Sequence, residues 1–220
     1  MLEQGGVAAD KLCVIHSGID PTRYPLCDRA DAVVPKVIGF VGALTSQKGC
    51  AVLLDALALL AKEALPAWKA LLVGDGPLRA GLERQAASLG LMDGGAERVR
   101  FLGFRESREV MPGMDVLAVP SVDGEGSSGV IKEAWVTGLP VVVSDLPSNL
   151  ELVQPDDSGL CVPVGDAATL ADALSRLLSD APLRRRLRTG GAKRVQSFTD
   201  TAMAERYVAL YRDMVAGKGN

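Results

Sequence analysis

The sequence predicts an α/β fold in which a parallel sheet of about six strands carries helices on both of its faces. Short runs of apolar, often β-branched residues alternate along the chain with segments of helical periodicity, the order expected of β-α-β units. The runs lack polar alternation, which is typical of strands buried on both faces of a sheet. They are Val37–Val41, Ala70–Val73, Val99–Leu102, Val116–Val119, Val141–Ser144 and Leu160–Val162.

Helices are predicted between and after these strands. The segment Asp166–Ser179 has the clearest amphipathic pattern, because Leu170, Leu174 and Leu177 recur at helical spacing. A final helix, about Asp200–Val215, has an apolar stripe with no evident cover in the chain. The other predicted helices are Ala51–Leu65, Pro77–Leu89, Arg108–Met114, Gly129–Thr137, Pro147–Val153 and a basic helix that begins at Pro182.

Size and charge bound the function classes. A chain of 220 residues suffices for one domain of this kind and is short for two. Its net charge of −3 argues against nucleic acid as a partner. The longest basic run lies in the helix after Pro182, and we interpret its arginines as a solvated face, with an anionic membrane surface as the alternative partner. These arginines are Arg184, Arg185, Arg186 and Arg188.

Cysteine usage indicates a reducing compartment. The four cysteines, Cys13, Cys27, Cys50 and Cys161, are widely separated and lack the paired spacing of a metal site. No signal peptide is evident, and no apolar run approaches the roughly 20 residues of a membrane-spanning helix. We therefore expect a cytoplasmic protein with reduced thiols and no metal, for which peripheral contact with the inner face of the membrane stays open.

Residues 1–36 are polar and rich in turn residues, unlike the usual start of an α/β domain. Leu12–Ile15 is the one segment here with the character of a strand. We predict a linker or hinge over residues 1–36, the folded domain over 37–199 and a C-terminal crossover helix over 200–220. His16, the only histidine, is interpreted as a loop residue of the hinge.

The most informative pattern lies in the stretch DGEGSSGVIKEAWVTGLP, residues 123–140. Its Gly/Ser-rich loop leads into the helix Gly129–Thr137, and Ser127 or Ser128 is predicted to cap that helix through its side chain. Backbone N–H groups at such a helix N-terminus attract phosphate.

Two carboxylates flank this loop. Glu125 precedes the helix, and Glu133 lies about one turn inside it. A carboxylate does not bind phosphate, but it accepts hydrogen bonds from a vicinal diol. Phosphate donors beside diol acceptors predict a nucleotide-sugar site.

The spacing of these carboxylates, with seven residues between them, resembles that of the retaining group-1 glycosyltransferases of the GT-B fold. The similarity covers essentially the whole chain and includes, in the same order, VIHSGID, VGALTSQKG, LLVGDGPLR, VRFLGF, DVLAVPS, GLPVV and SGLCVPVGD. It matches the C-terminal, donor-binding half of such an enzyme. The resemblance implies a Rossmann-like domain that binds a nucleoside diphosphate sugar for hexosyl transfer. The acceptor, a sugar or a lipid-linked glycan of the cell envelope, would be held by an absent N-terminal half.

The resemblance also implies roles for individual residues. Glu133 would bind the ribose hydroxyls and Glu125 the transferred sugar, while Lys48 would bind the diphosphate and stabilise it as it leaves. Glu125 and Lys48 are therefore the predicted catalytic residues, and Ala43 stands where the family has a second cation, an Arg. Backbone groups near residues 103 and 104 would meet the base. The remaining predicted donor-binding residues are Gly42, Gly74, Gly103, Phe104, Gly126, Ser127, Ser128 and Gly129.

Two other phosphate-binding motifs are rejected. The loop over residues 42–49 is no P-loop, because Gln47 and Gly49 stand where that motif needs Gly and Ser/Thr. The glycines after Val73 do not form the dinucleotide fingerprint, because Arg79 replaces its third glycine. We interpret Gly74 instead as part of a tight strand-to-helix turn.

Three functions remain open, and a Rossmann dehydrogenase is the last rival. The first is glycosyl transfer, in which the isolated domain is expected to bind donor but to be inactive without its N-terminal half. The second is a nucleotide-sugar-binding or regulatory module without turnover, which Ala43 would favour. The third is another GT-B chemistry, an epimerase or a phosphorylase.

Overall fold

The computed structural model describes residues 8, 11–27, 34–92, 97–123 and 126–216. Its centre is one sheet of parallel strands in the order β3-β2-β1-β4-β5-β6. This confirms the predicted α/β fold with a parallel sheet of about six strands. The strands are β1 (Lys36–Val41), β2 (Trp68–Val73), β3 (Val99–Gly103), β4 (Val116–Val119), β5 (Val141–Ser144) and β6 (Leu160–Val162).

The strand order reverses between β1 and β4, which lie side by side at the centre of the sheet. β1 pairs with β2 along its whole length, so that Val41 lies opposite Val73 at the carboxyl end. Ligands of open parallel sheets bind at the carboxyl edge beside such a reversal. The topology therefore directs attention to the loops that follow β1, β2, β3 and β4.

Helices pack against both faces of the sheet, as the alternating pattern predicts. They are α1 (Cys50–Leu60), α2 (Arg79–Ser88), α3 (Ser107–Val110), α4 (Gly129–Thr137), α5 (Pro147–Leu152), α6 (Ala167–Ser179), α7 (Ala181–Arg194) and α8 (Asp200–Val215). Short 3₁₀ turns occur at Pro21–Arg23, Ser46–Lys48, Met111–Gly113 and Val195–Phe198.

Two apolar cores lie on opposite faces of the sheet, because successive residues of a strand point to opposite sides. In β1, Ile38 enters the core formed with α1, α2 and α6, whereas Val37 enters the core formed with α4 and α5. Trp135 of α4 is buried in the second core, and its Nε1 donates to the carbonyl oxygen of Ser158 at 2.9 Å. This contact fixes α4 on the sheet and positions the loop before it.

The predicted strand Leu12–Ile15 and the predicted end of helix α1 are wrong. Leu12–Ile15 forms no strand, because a strand needs a neighbouring strand with which to pair. In the segment before β1, the backbone pairing occurs instead at Ile19, which bonds to residues 198–200. Helix α1 ends at Leu60 rather than at Leu65. Pro66 disfavours helical backbone at the residue before it, so the helix stops short of that position.

The basic helix α7 is only partly solvated. Arg184 is 2% exposed, and its Nη1 donates to the carbonyl oxygens of Leu177 (2.6 Å) and Leu178 (3.1 Å) in the last turn of α6. Carbonyls at a helix end lack partners within their own helix, so the guanidinium satisfies them. The prediction of a solvated face is therefore wrong for Arg184 and for Arg188, whose Nε and Nη2 atoms are buried. Arg185 and Arg186 are exposed, as predicted.

Helix α8 presents apolar side chains to solvent. Tyr211, Met214 and Val215 are exposed, and no residue of α8 is buried within the described part of the chain. This agrees with the expectation that the apolar stripe of the last helix has no cover here.

A glycine in α7 is required by packing rather than by helix propensity. A Cβ on Gly190 would overlap the carbonyl oxygen of Asp157. We expect Gly190→Ala to lower the free energy of unfolding by about 1–3 kcal/mol, as overpacking does, although alanine is the better helix former. The matched change Gly81→Ala in α2, where the nearest atom is 3.9 Å away, should instead stabilise by up to about 1 kcal/mol. Urea denaturation of both variants checks this, and equal effects would contradict the packing argument.

Candidate functional site

Backbone hydrogen bonds connect the loops that follow β1, β2 and β3. The Leu44 N–H donates to the carbonyl oxygen of Asp75 at 2.9 Å, and the Leu78 N–H donates to that of Leu44 at 3.1 Å. The Gly74 N–H donates to the carbonyl oxygen of Gly103 at 2.9 Å. The three loops therefore form one continuous wall at the carboxyl edge of the sheet.

Gly74 is the point of closest approach between two of these loops. Its φ of +137° lies in the region that favours glycine. A Cβ at this position would overlap the carbonyl oxygen of Gly42. The tight turn predicted at Gly74 is confirmed, and both the backbone conformation and the neighbouring loop require glycine there.

These loops enclose a cavity of about 280 Å³, here called the strand-loop cavity. It brings three predicted site residues together: Gly42, Gly74 and Phe104. Phe104 is 71% exposed, so its ring forms part of the cavity wall and is not part of the core. The cavity is lined by Val41, Gly42, Ala43, Val73, Gly74, Asp75, Phe104 and Arg105.

Lys48 lies half-buried in a 3₁₀ turn at the end of the loop after β1. The carbonyl oxygen of the preceding residue, Gln47, accepts a hydrogen bond from the Val122 N–H at 2.8 Å. Gly49, with φ +64°, has no room for a Cβ, which would overlap the carbonyl oxygen of Pro120. These contacts hold the Lys48 turn against the segment that leads from β4 towards α4.

Helix α4 begins at Gly129 and ends at Thr137, as the sequence predicts. Gly138, at φ +82°, ends it, and the Leu139 N–H donates to the carbonyl oxygen of Ala134 at 2.8 Å. This left-handed glycine satisfies carbonyls of the last turn, which explains why the helix stops there.

The predicted side-chain cap of α4 is wrong. Ser128 occupies the N-cap position but makes no capping hydrogen bond, and Ser127 Oγ accepts a hydrogen bond from Lys132 instead. The Ser128 side chain therefore does not occupy the N–H groups of the first turn, which have no partners within the helix. Such N–H groups are where an anion binds at a helix N-terminus.

A second cavity, of about 260 Å³, lies between α4 and the segment before β1, and we call it the helix cavity. It contains the predicted site residues Gly129 and Glu133. Charged and polar groups dominate its wall. The lining residues are Ser17, Gly18, Ile19, Asp20, Arg23, Tyr24, Gly129, Lys132, Glu133 and Asp200.

The Glu133 carboxylate reaches back over the first turn of α4. Its Oε1 lies 3.9 Å from the position that a Cβ on Gly129 would take, and the side chain is half-buried. Burial and the negative charge of Glu133 raise the pKa of the Tyr24 phenol above its ordinary value. A carboxylate and an uncharged phenol on one cavity wall are suited to bind hydroxyl groups.

Lys132 is not among the site residues predicted from the sequence. This side chain is 1% exposed, although it lines the helix cavity. The signal was a lysine in α4 that directly follows Ile131 and stands two residues before Ala134 and three before Trp135. Such a position predicts a buried cation, but the sequence does not show what it contacts.

The predicted site residues thus fall into two groups at the same edge of the sheet. Gly42, Gly74 and Phe104 line the strand-loop cavity, and Gly129 and Glu133 line the helix cavity. The loop that carries Lys48 borders the first cavity and contacts the segment that leads to the second. Glu125 lies outside the described residues, while Gly126 and Ser127 follow it in the loop before α4.

Within the described residues, no group of three or more His, Cys, Asp or Glu side chains is placed to hold a metal ion. No helix in this part of the chain is long and apolar enough to cross a membrane. The cysteines are free thiols, with Cys50 buried and Cys13 exposed.

The model of the family described as glycosyl transferases group 1 matches residues 35–180, more than half of the chain. The chain belongs to this family. The matched residues include every strand of the sheet and extend to the end of α6. The family resemblance inferred from the paired carboxylates and the ordered segments is therefore confirmed.

Curated relatives match this group-1 glycosyltransferase chain over most of its length. It is 34% identical to the phosphatidyl-myo-inositol mannosyltransferase of Mycobacterium leprae over an alignment of 189 positions that covers 84% of this chain and 48% of that protein. It is 35% identical to the 2-deoxystreptamine glucosyltransferase of Streptomyces kanamyceticus over an alignment of 203 positions that covers 84% of this chain and 50% of that protein. The chain spans about half the length of these curated relatives.

Solved structures share the Rossmann-like fold. Anabaena Alr3699/HepE in complex with UDP superimposes with a TM-score of 0.85 at 27% identity, covering 96% of this chain and 60% of that chain. The same protein in complex with UDP-glucose gives a TM-score of 0.83 at 26% identity, covering 96% and 60%.

Proposed function

We propose that this chain is the donor-binding part of a retaining glycosyltransferase that uses a nucleoside diphosphate sugar. One observation carries the proposal: Glu133 reaches back over the first turn of α4, directly beside a Gly/Ser loop at that helix N-terminus. The N–H groups of the first turn and the helix dipole suit a diphosphate, and the carboxylate suits the ribose hydroxyls. Membership of the group-1 family supports this arrangement of roles.

The proposed nucleoside is uridine. HepE, the neighbour with a TM-score of 0.85, has been crystallised with UDP and with UDP-glucose. The exposed ring of Phe104 in the strand-loop cavity offers a face on which a base can stack. Backbone groups at Gly103 and Phe104 would then meet the edge of the base.

In the proposed reaction the acceptor hydroxyl attacks the anomeric carbon from the face on which the diphosphate leaves. The new glycosidic bond forms as the bond from the sugar to the diphosphate breaks, and the acceptor proton is released with the nucleoside diphosphate. Lys48 would stabilise the charge that develops on the leaving group, and Glu125 would hold the transferred sugar. The contribution of one such aimed donor is about 3–4 kcal/mol.

The acceptor, a sugar or a lipid-linked glycan, would be bound by a part of the protein that lies outside this chain. The chain spans about half of its curated relatives, which supports a second half in the working enzyme. We propose that residues 1–36 lead from that half and that α8 returns to it, in a cytoplasmic protein. The exposed apolar side chains of α8 support this.

The proposal is tested by thermal unfolding of this chain with UDP, GDP and ADP, their glucose conjugates, the free nucleosides and NAD. A ligand at 100 times its dissociation constant should stabilise by about 2.7 kcal/mol. We expect UDP and UDP-glucose to raise the melting temperature most. A flat response to every nucleotide would contradict donor binding. A response to NAD alone would point to a dehydrogenase.

Ala43 makes a second candidate worth testing: a nucleotide-sugar-binding module without turnover. Ala43 lines the strand-loop cavity where a second cation would act, and its side chain carries no charge. Donor-dependent glycosylation by the intact two-part protein, lost in Glu125→Ala, would exclude this candidate. Turnover of donor without acceptor, or with phosphate, would favour an epimerase or a phosphorylase.

A further inference from the structure

Lys132 is a buried cation held by uncharged groups. Its Nζ donates to the carbonyl oxygen of Ser17 (2.7 Å), to Ser17 Oγ (2.8 Å) and to Ser127 Oγ (3.2 Å). An ammonium group has three N–H donors, so these three acceptors satisfy all of them. The side chain thereby joins the segment before β1 to the loop that precedes α4.

Among the residues that the structure describes, no carboxylate is in direct contact with the Lys132 ammonium. None of the ion pairs between described residues includes it. Burial lowers the pKa of Lys132, and the more distant carboxylates of Glu133 and Asp200 oppose that shift only in part. A buried charge is costly unless it is compensated. An anionic ligand in the adjoining cavity would compensate it.

The direction of the side chain places this charge at the amino end of α4. Helical side chains tilt towards the helix N-terminus, and Lys132, in the first turn of α4, contacts Ser127 just before the helix. The positive end of the helix dipole lies there too. The lysine and the dipole therefore act together on any anion beside the Gly126–Gly129 loop.

We propose that Lys132 is a positioning residue of the donor site. Its side chain holds the Ser127 loop in place, and its charge makes the site prefer a diphosphate to an uncharged nucleoside. The inference rests on the proposed function, because it assigns a role within the same nucleotide site. Lys132 would supply a positive charge from α4 to a site in which the loop after β1 has alanine at position 43.

The test compares binding of UDP and of uridine by isothermal titration calorimetry, in wild type, Lys132→Met and Lys132→Gln. Methionine matches the length of the lysine stem, and glutamine keeps a hydrogen-bond donor without the charge. In both variants we expect the ratio of UDP affinity to uridine affinity to fall by about tenfold or more, which corresponds to about 1.4 kcal/mol. The matched control is Lys69→Met, at an exposed position near the amino end of β2, which should leave the ratio unchanged.

Each outcome separates this inference from the proposed function. An unchanged ratio in folded Lys132 variants would overturn the inference and leave nucleotide binding intact. Failure of wild type to bind UDP, GDP and ADP would overturn the proposed function and the inference together. If neither Lys132 variant unfolds cooperatively, Lys48→Met is measured instead. This variant retains Lys132 and removes the charge of a half-buried lysine in the loop after β1. A UDP preference of at least about tenfold in Lys48→Met would support the inference, and its loss would overturn it.

Discussion

Replacing Glu133 by alanine is expected to weaken the binding of UDP to this chain by about 100-fold or more. Two ribose hydroxyls would donate to this half-buried carboxylate, and hydrogen bonds to a charged group each contribute about 1.5–3 kcal/mol. Loss of about 3 kcal/mol corresponds to roughly 150-fold in affinity. Calorimetric titration of UDP into wild type and variant measures the effect directly.

The role in ribose binding has its own signature. Wild type should prefer UDP to 2′-deoxy-UDP, and Glu133→Ala should bind the two equally. Uridine binding should weaken as well, because the ribose is common to both ligands, whereas Lys132 variants should affect the diphosphate selectively. Glu205→Ala, on an exposed position of α8, is the matched control. A Glu133 variant that still discriminates against the deoxy ligand would exclude a contact between Glu133 and the 2′-hydroxyl.

Gly74→Ala is expected to lower the free energy of unfolding by about 2–6 kcal/mol. The left-handed φ of +137° costs a non-glycine residue about 1–3 kcal/mol. The new Cβ would also overlap the carbonyl oxygen of Gly42, and overpacking costs about 1–3 kcal/mol more. Urea denaturation gives the loss, and weakened UDP binding by the folded fraction should accompany it, because the two loops must separate.

Gly42→Ala is the matched control for that change. A Cβ on Gly42 would meet Phe40 at 3.6 Å and Lys48 at 3.9 Å, which are ordinary contacts, and its φ is not left-handed. We expect a change in the free energy of unfolding within about 1 kcal/mol. Equal destabilisation by the two substitutions would contradict the packing argument, because only the Cβ at residue 74 would overlap a backbone atom.

The elements that local chemistry defines could be predicted from the sequence. Helix α4 and the strands Val116–Val119 and Leu160–Val162 have the predicted bounds, because Gly138 stops the helix and apolar runs flanked by turn residues delimit the strands. The predicted end of α1 overshot, since leucines continue the apolar pattern up to Pro66.

The site could be predicted only in part. Glycines and carboxylates beside strand ends have a local meaning, so Gly74 and Glu133 were predicted as site residues, and the structure places them in two separate cavities. Partners distant in sequence have no local signal. Ser127 accepts from Lys132 instead of capping α4, and Arg184 binds the last carbonyls of α6 instead of facing solvent.

The sequence by itself determined the order of strands and helices, the glycine turns and the family, because each of these depends on residues close together in the chain. Only the tertiary structure decided that the predicted site residues line two cavities, that Phe104 is exposed and that Lys132 joins Ser17 to Ser127. Burial and charge compensation depend on segments more than a hundred residues apart, such as Ser17 and Lys132 with a separation of 115. Their proximity arises only when the chain has folded.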